Sequence, residues 1–282
     1  MLVYDFEYDG EKLSDYGFMI GGFDGVQNNN VPVGSEITFN TVSILNGMKE
    51  SLTSSEYDKV LETTIPIIKK PCEENVNNME LTVDEVRRIV RWLNRVSYHK
   101  LKLIYMVKVG TDENNEDIYE NVYKDLFWEG SFESIERIEI GARTIGLECQ
   151  FVSNSPFTQY EEISSEYIGE EADWTLTIES ESDAEGSFYP VFSIIVNEDG
   201  DLQITNDRTL ITTEIKNCTN GEVITLNHPV IISSVPNHIY NDFNWEFPEL
   251  VTTYHNHVNT YTVSLPCSIT VSYKPFVKYG LM

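Results

Sequence analysis

His255 and His257 stand two residues apart, a spacing that puts two imidazoles on one face of a strand and suits some metal sites. No third ligand is evident, and Asn256 and Asn259 give the segment a loop character, so a solvated turn is the expectation. His228 and His238 flank turn residues and read as surface groups. Asn197-Glu198-Asp199-Gly200-Asp201 and Asp112-Glu113-Asn114-Asn115-Glu116-Asp117 resemble fragments of calcium loops. Neither continues to the bidentate glutamate and loop length of an EF-hand, so a hairpin turn and a solvated tip are expected instead. Carboxylate pairs carry no signal in a chain with 46 Asp+Glu, where pairs are inevitable. The sequence holds no G-x-S-x-G, Walker loop, H-E-x-x-H or G-x-G-x-x-G. Gly21-Gly22-Phe23-Asp24-Gly25 is a glycine-rich turn with no helix after it to offer an anion site. Cys72, Cys149, Cys218 and Cys267 are far apart and form no CxxC pair, so they read as small buried apolar residues. The sequence thus assigns no catalytic, cofactor-binding or metal-ligating residue, and no enzyme is expected.

Composition narrows the function classes further. The 282-residue chain carries 19 Lys+Arg against 46 Asp+Glu, a net charge of −27. Nucleic-acid binding needs clustered cations that displace phosphate counterions, so this balance argues against it, and against anionic membrane surfaces. No apolar run approaches the ~20 residues of a membrane span. The N-terminus has acids where a signal peptide has basic residues, so folding in a cytoplasm is expected. The charge is unevenly spread. Residues 1–153 hold 15 basic and 27 acidic residues, and residues 154–282 hold 4 and 19.

One segment reads clearly as helix, Leu81 to about Ser97. Thr82 and Glu85 have capping-box spacing, with Leu81 and Val86 placed for a hydrophobic staple. Val86, Ile89, Val90, Leu93 and Val96 recur with helical period, and Arg88, Arg91 and Arg95 make a basic stripe on another face. The stripe could hold an acidic partner or phosphates, but facing acids elsewhere in so acidic a chain are the expected partners. The rest reads as strand. Glu36–Leu45 and Lys59–Ile68 alternate, Lys100–Val109 and Ile118–Phe127 flank the acidic loop as a long hairpin, and Ser131–Ile140 and Thr144–Phe151 pair around Gly141. Further strands are Val191–Val196, Leu210–Ile215, Val223–Leu226, Val230–Ile232 and Tyr261–Leu265. The turns Asn197–Gly200, Asn206-Asp207 and Asn217–Gly221 between them read as hairpin signals. The acid-rich stretch Glu161–Glu185 reads as a linker or solvated loop holding a short strand, Trp174–Ile178. Asn154-Ser155-Pro156 marks a join, giving domains 1–156 and 157–282 in a mainly β protein with one clear α-helix (about 82–97) and a hairpin at about 100–127. Trp92, Trp128, Trp174 and Trp245 join 16 Tyr and 13 Phe; an exposed patch of these would suit sugar stacking or a protein interface.

In order along the chain, several segments resemble one known family. They are Phe6-Glu7-Tyr8-Asp9-Gly10 with Leu13-Ser14-Asp15-Tyr16-Gly17, the strand ending Ile65-Pro66-Ile67-Ile68-Lys69-Lys70-Pro71, and the helix Leu81-Thr82-Val83-Asp84-Glu85 through Leu93-Asn94. Tyr98-His99-Lys100-Leu101, Phe132-Glu133 to Ile140-Gly141, and the join Ser153-Asn154-Ser155-Pro156-Phe157 follow. Ile204-Thr205-Asn206, Gly221 to Leu226 and Tyr240 to Trp245 complete the set. The pattern resembles the distal tail proteins of long-tailed (siphovirus-type) phages of Gram-positive bacteria. The resemblance implies an N-terminal tail-tube-like β-sandwich plus helix that forms rings, and a C-terminal galectin-like β-sandwich facing outward. It implies a homo-hexameric hub at the distal end of the virion tail. That hub would join the tail-tube protein to tail-tip, baseplate and receptor-binding proteins and give passage to DNA without specific nucleic-acid or membrane binding. No cofactor is implied. A carbohydrate-binding adsorption module, acting through the C-terminal sandwich, is the alternative.

Overall fold

The computed structural model describes residues 2–21, 37–43, 49–57, 60–70, 79–111, 117–120, 125–236 and 238–278. Expectations for Cys72, for residues 22–25 of the glycine-rich turn and for residues 112–116 of the acidic loop fall outside the described residues. The chain divides into two compact units, one running through Gln159 and one spanning Tyr160–Val277.

The first unit is built from β1 (Leu2–Tyr8), β2 (Glu11–Lys12), β3 (Phe18–Ile20), β4 (Ile37–Ser43), β5 (Glu50–Tyr57), β6 (Glu62–Lys69), β7 (His99–Thr111), β8 (Asp117–Glu120), β9 (Leu126–Ile140) and β10 (Arg143–Ser153), with helix α1 (Val83–Leu93). Its main sheet runs β2-β1-β7-β9-β10-β6-β3. Every second residue of a strand faces one side. Accordingly Phe6 and Tyr8 of β1, Leu101, Leu103 and Tyr105 of β7, Ile65 and Ile67 of β6, and Leu147, Cys149 and Phe151 of β10 all enter one buried cluster. Gly130 of β9 leaves room for Phe151, since a Cβ there would sit 2.6 Å from the ring and 2.2 Å from the Val152 carbonyl oxygen.

Helix α1 lies on this cluster. Thr82 caps it, its hydroxyl accepting from Glu85 N at 3.3 Å while the Glu85 carboxylate accepts from Thr82 N at 2.8 Å. The helix stops at Leu93, short of the expected Ser97. Asn94 turns extended, and the Arg95 side chain closes the end by donating Nε to the Trp92 carbonyl at 2.8 Å. The buried face also differs from the periodic one. Ile89, Trp92 and Leu93 are buried, Val86 is partly so, and Val90 and Val96 are exposed. Trp92 has rotated the helix toward the arginine side, because its ring is clamped between Phe6 and Tyr16.

The boundary strand is β11 (Thr158–Tyr160). The second unit follows with β12 (Ile163–Gly169), β13 (Trp174–Glu179), β14 (Gly186–Phe188), β15 (Val191–Val196), β16 (Gly200–Asn206), β17 (Thr212–Cys218), β18 (Val223–Asn227), β19 (Val230–Ser233), the short helix α2 (Ile239–Asp242), β20 (Leu250–Thr252), β21 (Val258–Val263), β22 (Cys267–Tyr273) and β23 (Phe276–Val277). Two sheets, β12-β22-β15-β18-β19 and β13-β21-β16-β17, contribute alternate residues to a single core. The stretch read as a linker is not one: β12 and β13 are edge strands of the two sheets, and acids on an edge discourage pairing with other chains. Two of the three turns read as hairpins instead change sheets. Asn197–Gly200 carries the chain from β15 to β16 and Asn217–Gly221 from β17 to β18. Side chains brace both crossings, Asp199 accepting from Asn220 N at 2.7 Å and Asp201 from Asn217 N at 2.8 Å. The central strand β22 went unread in the sequence. Cys149, Cys218 and Cys267 are buried, and burial pushes their thiols up to about 12, 11 and 12.

The helix assignment is testable by chemical denaturation. Leu93→Ala, at a fully buried position, is expected to cost about 2–5 kcal/mol. Val96→Ala, past the helix end and in solvent, is expected to cost less than about 0.5 kcal/mol.

Candidate assembly surface

Two exposed features of the first unit stand out. The first is the arginine face of α1. Lys69 on β6 pins the helix N-terminus through Glu85 at 2.7 Å. Burial works against the Glu85 charge, yet Lys69 and Thr82 outweigh it and hold the carboxyl below its usual range. At the other end four groups pile up in order. Phe6 stacks on Trp92 (5.6 Å, 6°), Trp92 on Tyr16 (4.5 Å, 11°), and the Arg88 guanidinium lies 5.1 Å over the Tyr16 ring. Trp92 Nε1 donates to the Tyr8 carbonyl at 3.2 Å, which fixes the ring. Tyr16 ends a 3-10 turn, Leu13–Tyr16, closed by Gly17 at φ 82°, a left-handed value that glycine takes without strain. The Tyr16 hydroxyl donates to Glu11, and burial together with that carboxylate pushes it up to about 12. Arg95 lies 5.9 Å over Tyr8 and pairs with Asp9 at 2.5 Å, holding the Asp9 carboxyl below its usual range. Between them a 260 Å³ recess is lined by Glu11, Tyr16, Arg88, Arg91, Trp92 and Arg95.

The second feature is the β4–β5 hairpin, paired from Ile37↔Tyr57 to Ser43↔Glu50. Most of its side chains are exposed, among them Phe39 at 60% and Leu52 at 59%, with Ile37 and Val42. Tyr57, at its root, packs edge-on against Phe157 at 4.6 Å. A two-stranded hairpin alone is marginal in water, and apolar exposure of this kind marks interaction surfaces.

The residues singled out by spacing do not converge. Tyr254 and His255 lie in the turn between Thr253 and Asn256, while His257 is half-buried with Nδ1 3.0 Å from the Ser180 carbonyl. No cluster of three His, Cys, Asp or Glu able to hold a metal occurs among the described residues. His228 is exposed and stacked 4.1 Å from Tyr189. His238 overturns the surface reading. Its side chain is 8% exposed beside a Glu222 carboxylate at 0%. Nδ1 is 2.6 Å from Glu222 Oε1 and Nε2 is 2.6 Å from the Lys216 carbonyl. Both neighbours accept, so both ring nitrogens donate and the imidazole is cationic. Glu222 also accepts from Ser233 Oγ and, at 3.1 Å, from Thr219 N. Ser, His and Glu meet here, but the carbonyl occupies the nitrogen a catalytic base would need. Nothing local in the sequence signals this cluster, because its members come from the ends of three strands and a turn.

Comparison with known proteins places the chain. Residues 1–155 match the family described as phage tail protein N-terminal domain, and residues 152–273 match phage tail C-terminal domain. The chain belongs to this phage tail protein family. A search of curated proteins returns no significant match. Among solved structures, this tail protein shares its fold with the SPP1 Dit protein, reported as a paradigm of the hub of the adsorption apparatus in phages infecting Gram-positive bacteria. The TM-score is 0.60 and the identity 12%, over 97% of this chain and 99% of that one. The phage P2 baseplate in its activated conformation with Ca is a looser likeness, with TM-score 0.38 and 8% identity over 96% and 98%. The mainly β fold with one principal helix is therefore that of a phage tail component.

The His238–Glu222 pair sets a pH dependence. Burial disfavours the imidazolium, yet Glu222 and the Lys216 carbonyl outweigh it and raise His238 above 6.5; burial likewise opposes the Glu222 charge, yet Ser233, Thr219 and His238 hold it below 4.5. The histidine contribution is present below pH 6.5 and is lost as pH rises through the raised value. The glutamate contribution is present above pH 4.5 and is lost as pH falls through the lowered value. Denaturation is expected to show this contribution fully between pH 4.5 and 6.5 and declining as pH rises through the raised histidine value. His238→Gln should remove the alkaline decline and cost about 2–4 kcal/mol at pH 6, since it strands a buried carboxylate.

Proposed function

We propose that this phage tail protein is a structural hub, a hexameric ring at the distal end of the tail that joins the tube to the tip or baseplate and lets DNA pass. In this reading residues 1–156 form the ring and residues 157–282 face outward toward baseplate and receptor-binding proteins. The protein is a virion component assembled in the host cytoplasm, and its role is architectural, not enzymatic. The observation that carries the proposal is the β4–β5 hairpin, which presents Phe39, Leu52, Ile37 and Val42 to solvent. A neighbouring copy that covers them gives the burial the hairpin lacks on its own. The family match and the fold shared with SPP1 Dit support the same reading.

Native mass spectrometry and negative-stain imaging of the full chain are expected to show a hexamer or two stacked hexamers. A chain that stays monomeric at high concentration overturns the ring. A fragment covering residues 158–282 is expected to unfold cooperatively on its own, whereas aggregation would place the boundary elsewhere. Six copies at −27 each should show no duplex-DNA binding at physiological ionic strength, and micromolar affinity would contradict free passage.

A second reading, sugar binding by the C-terminal unit, draws on Trp245. Its ring is 57% exposed at a backbone φ of 64°, a left-handed conformation costly for a bulky residue. Asn244 holds that backbone, accepting from Glu214 N at 3.1 Å and donating to the Thr212 carbonyl at 2.8 Å. Titration with neutral cell-wall saccharides is expected to shift tryptophan fluorescence in the native chain and not in Trp245→Ala. Equal responses would remove this reading.

A further inference from the structure

We propose that the recess on α1 is a carboxylate socket that seats an acidic segment of a second copy of this chain. The proposal rests on the ring reading and gives it a specific contact. Arginine is unevenly placed in the sequence. Residues 87, 88, 91 and 95 are arginine, and the other three lie at 137, 143 and 208. Arg88 and Arg91 of α1 and Arg95 just past its end line the recess with one carboxylate, Glu11, while Asp9 pairs with Arg95. The Glu11 carboxylate already takes the Tyr16 hydroxyl. A cationic recess is thus preserved in a chain with a net charge of −27.

Two of the guanidinium groups, those of Arg88 and Arg95, are also held in place. The Phe6–Trp92–Tyr16 stack rises from the core and supports the flat face of Arg88. A guanidinium placed over the Tyr16 ring, 5.1 Å from its centroid, keeps donors with which to take a carboxylate. Arg95 turns Nε and Nη1 inward, to Trp92 O and Asp9, and forms a wall. Arg91 lies one turn along α1 from Arg88, on the same face, and lines the same recess as Arg95, which stands past the helix end. Arg91 is exposed and has no ion pair among the described residues. Groups fixed before binding lose less freedom on binding, so the stack favours association.

Size and charge select the occupant. A volume of 260 Å³ lies below the ~300–1,000 Å³ of sites that enclose drug-sized ligands and suits one or two acidic side chains. A nucleic-acid backbone would meet the repulsion of the whole acidic chain. The chain's own surface, with 46 acids to 19 cations, supplies the complementary charge in every copy.

The test compares two charge reversals of equal size in the full chain. Arg88→Glu/Arg91→Glu acts at the recess, and Arg137→Glu/Arg143→Glu acts elsewhere on the same unit. Sedimentation velocity and native mass spectrometry read assembly, with circular dichroism confirming the fold. The recess pair is expected to raise the concentration needed for assembly at least about tenfold, and the control pair less than about threefold. Arg88→Gln/Arg91→Gln provides the same reading if the reversal misfolds. Equal losses in both pairs would assign the effect to general repulsion and overturn the socket. Normal rings from the recess variants would also overturn it while leaving the ring reading intact. Rings that form but no longer join other tail proteins would name a different occupant and overturn the second copy. A native chain that forms no ring overturns both readings.

Discussion

The stack of Phe6, Trp92 and Tyr16 is the contact on which the first unit turns. It joins the first strand and the turn after it to the C-terminal end of α1, a segment far along the chain. Large aromatic rings give both area and orientation: offset or tilted pairs contribute beyond burial alone, so the stack fixes the rotation of the helix as well as its position. Phe132 and Tyr8 extend it edge-on, with centroids 5.0 Å apart. Once Trp92 is inside, Val90 must face out, Arg88 must lie over Tyr16 and the stripe of arginines becomes the outer wall. Core packing and surface chemistry therefore follow from one side chain.

Charge imposes the complementary constraint. A chain so acidic cannot bury carboxylates unpaired. Each unit answers this in its own way. The first satisfies its buried Asp5 with the backbone N–H groups of Phe6 and Ser14, at 2.9 and 3.2 Å, and sets arginine and lysine against the more exposed Asp9 and Glu85. The second has few cations; Lys216 and Lys274 are exposed, while Arg208 and His238 are used internally. Arg208 Nη1 reaches the carbonyls of Val251, Asn256 and Val258 at 2.6, 3.2 and 3.3 Å, and His238 neutralises Glu222. Cations committed to turns and buried acids are not on offer to partners. The exposed arginine of α1 is the kind that remains.

What the sequence made legible was local. The capping box of Thr82 and Glu85, the glycine turn between β9 and β10, and the alternation of most strands follow from neighbours within a few residues. What it concealed was decided by distant residues. Turn chemistry at Asn217–Gly221 specifies a positive φ at Gly221, but not whether the next strand joins the same sheet; there Asp201 of the neighbouring β16 accepts from Asn217 N as the chain leaves β17. The acids of β12 and β13 resemble a linker because an edge strand buries little and tolerates charge. Val96 keeps the helical period, yet Arg95 ends the helix before it. His238 looks like a turn residue until Glu222 and Lys216 are brought beside it. The recess was half legible: the arginine stripe showed in the spacing, while the stack that organises it did not.

The β4–β5 hairpin carries the argument from fold to assembly. Its two strands satisfy each other's backbone groups along one edge, and among the described residues no further strand pairs with either outer edge. Most of its side chains are exposed, so burial within the chain contributes little to holding it. An element like this has two stable futures in water: charge on its edges that keeps it single, or a partner that covers it. The hairpin has Glu50 and Glu56 on one strand but places Phe39, Val42 and Leu52 among them, which is poor protection for a strand meant to stay alone. The proposed ring would resolve the conflict by symmetry, because each copy would cover the hairpin of the next and no copy at the end would be left with an open one. The arginine recess fits the same logic. Apolar contact is non-directional, so a charged socket elsewhere on the unit is what can fix the register in which neighbouring copies meet.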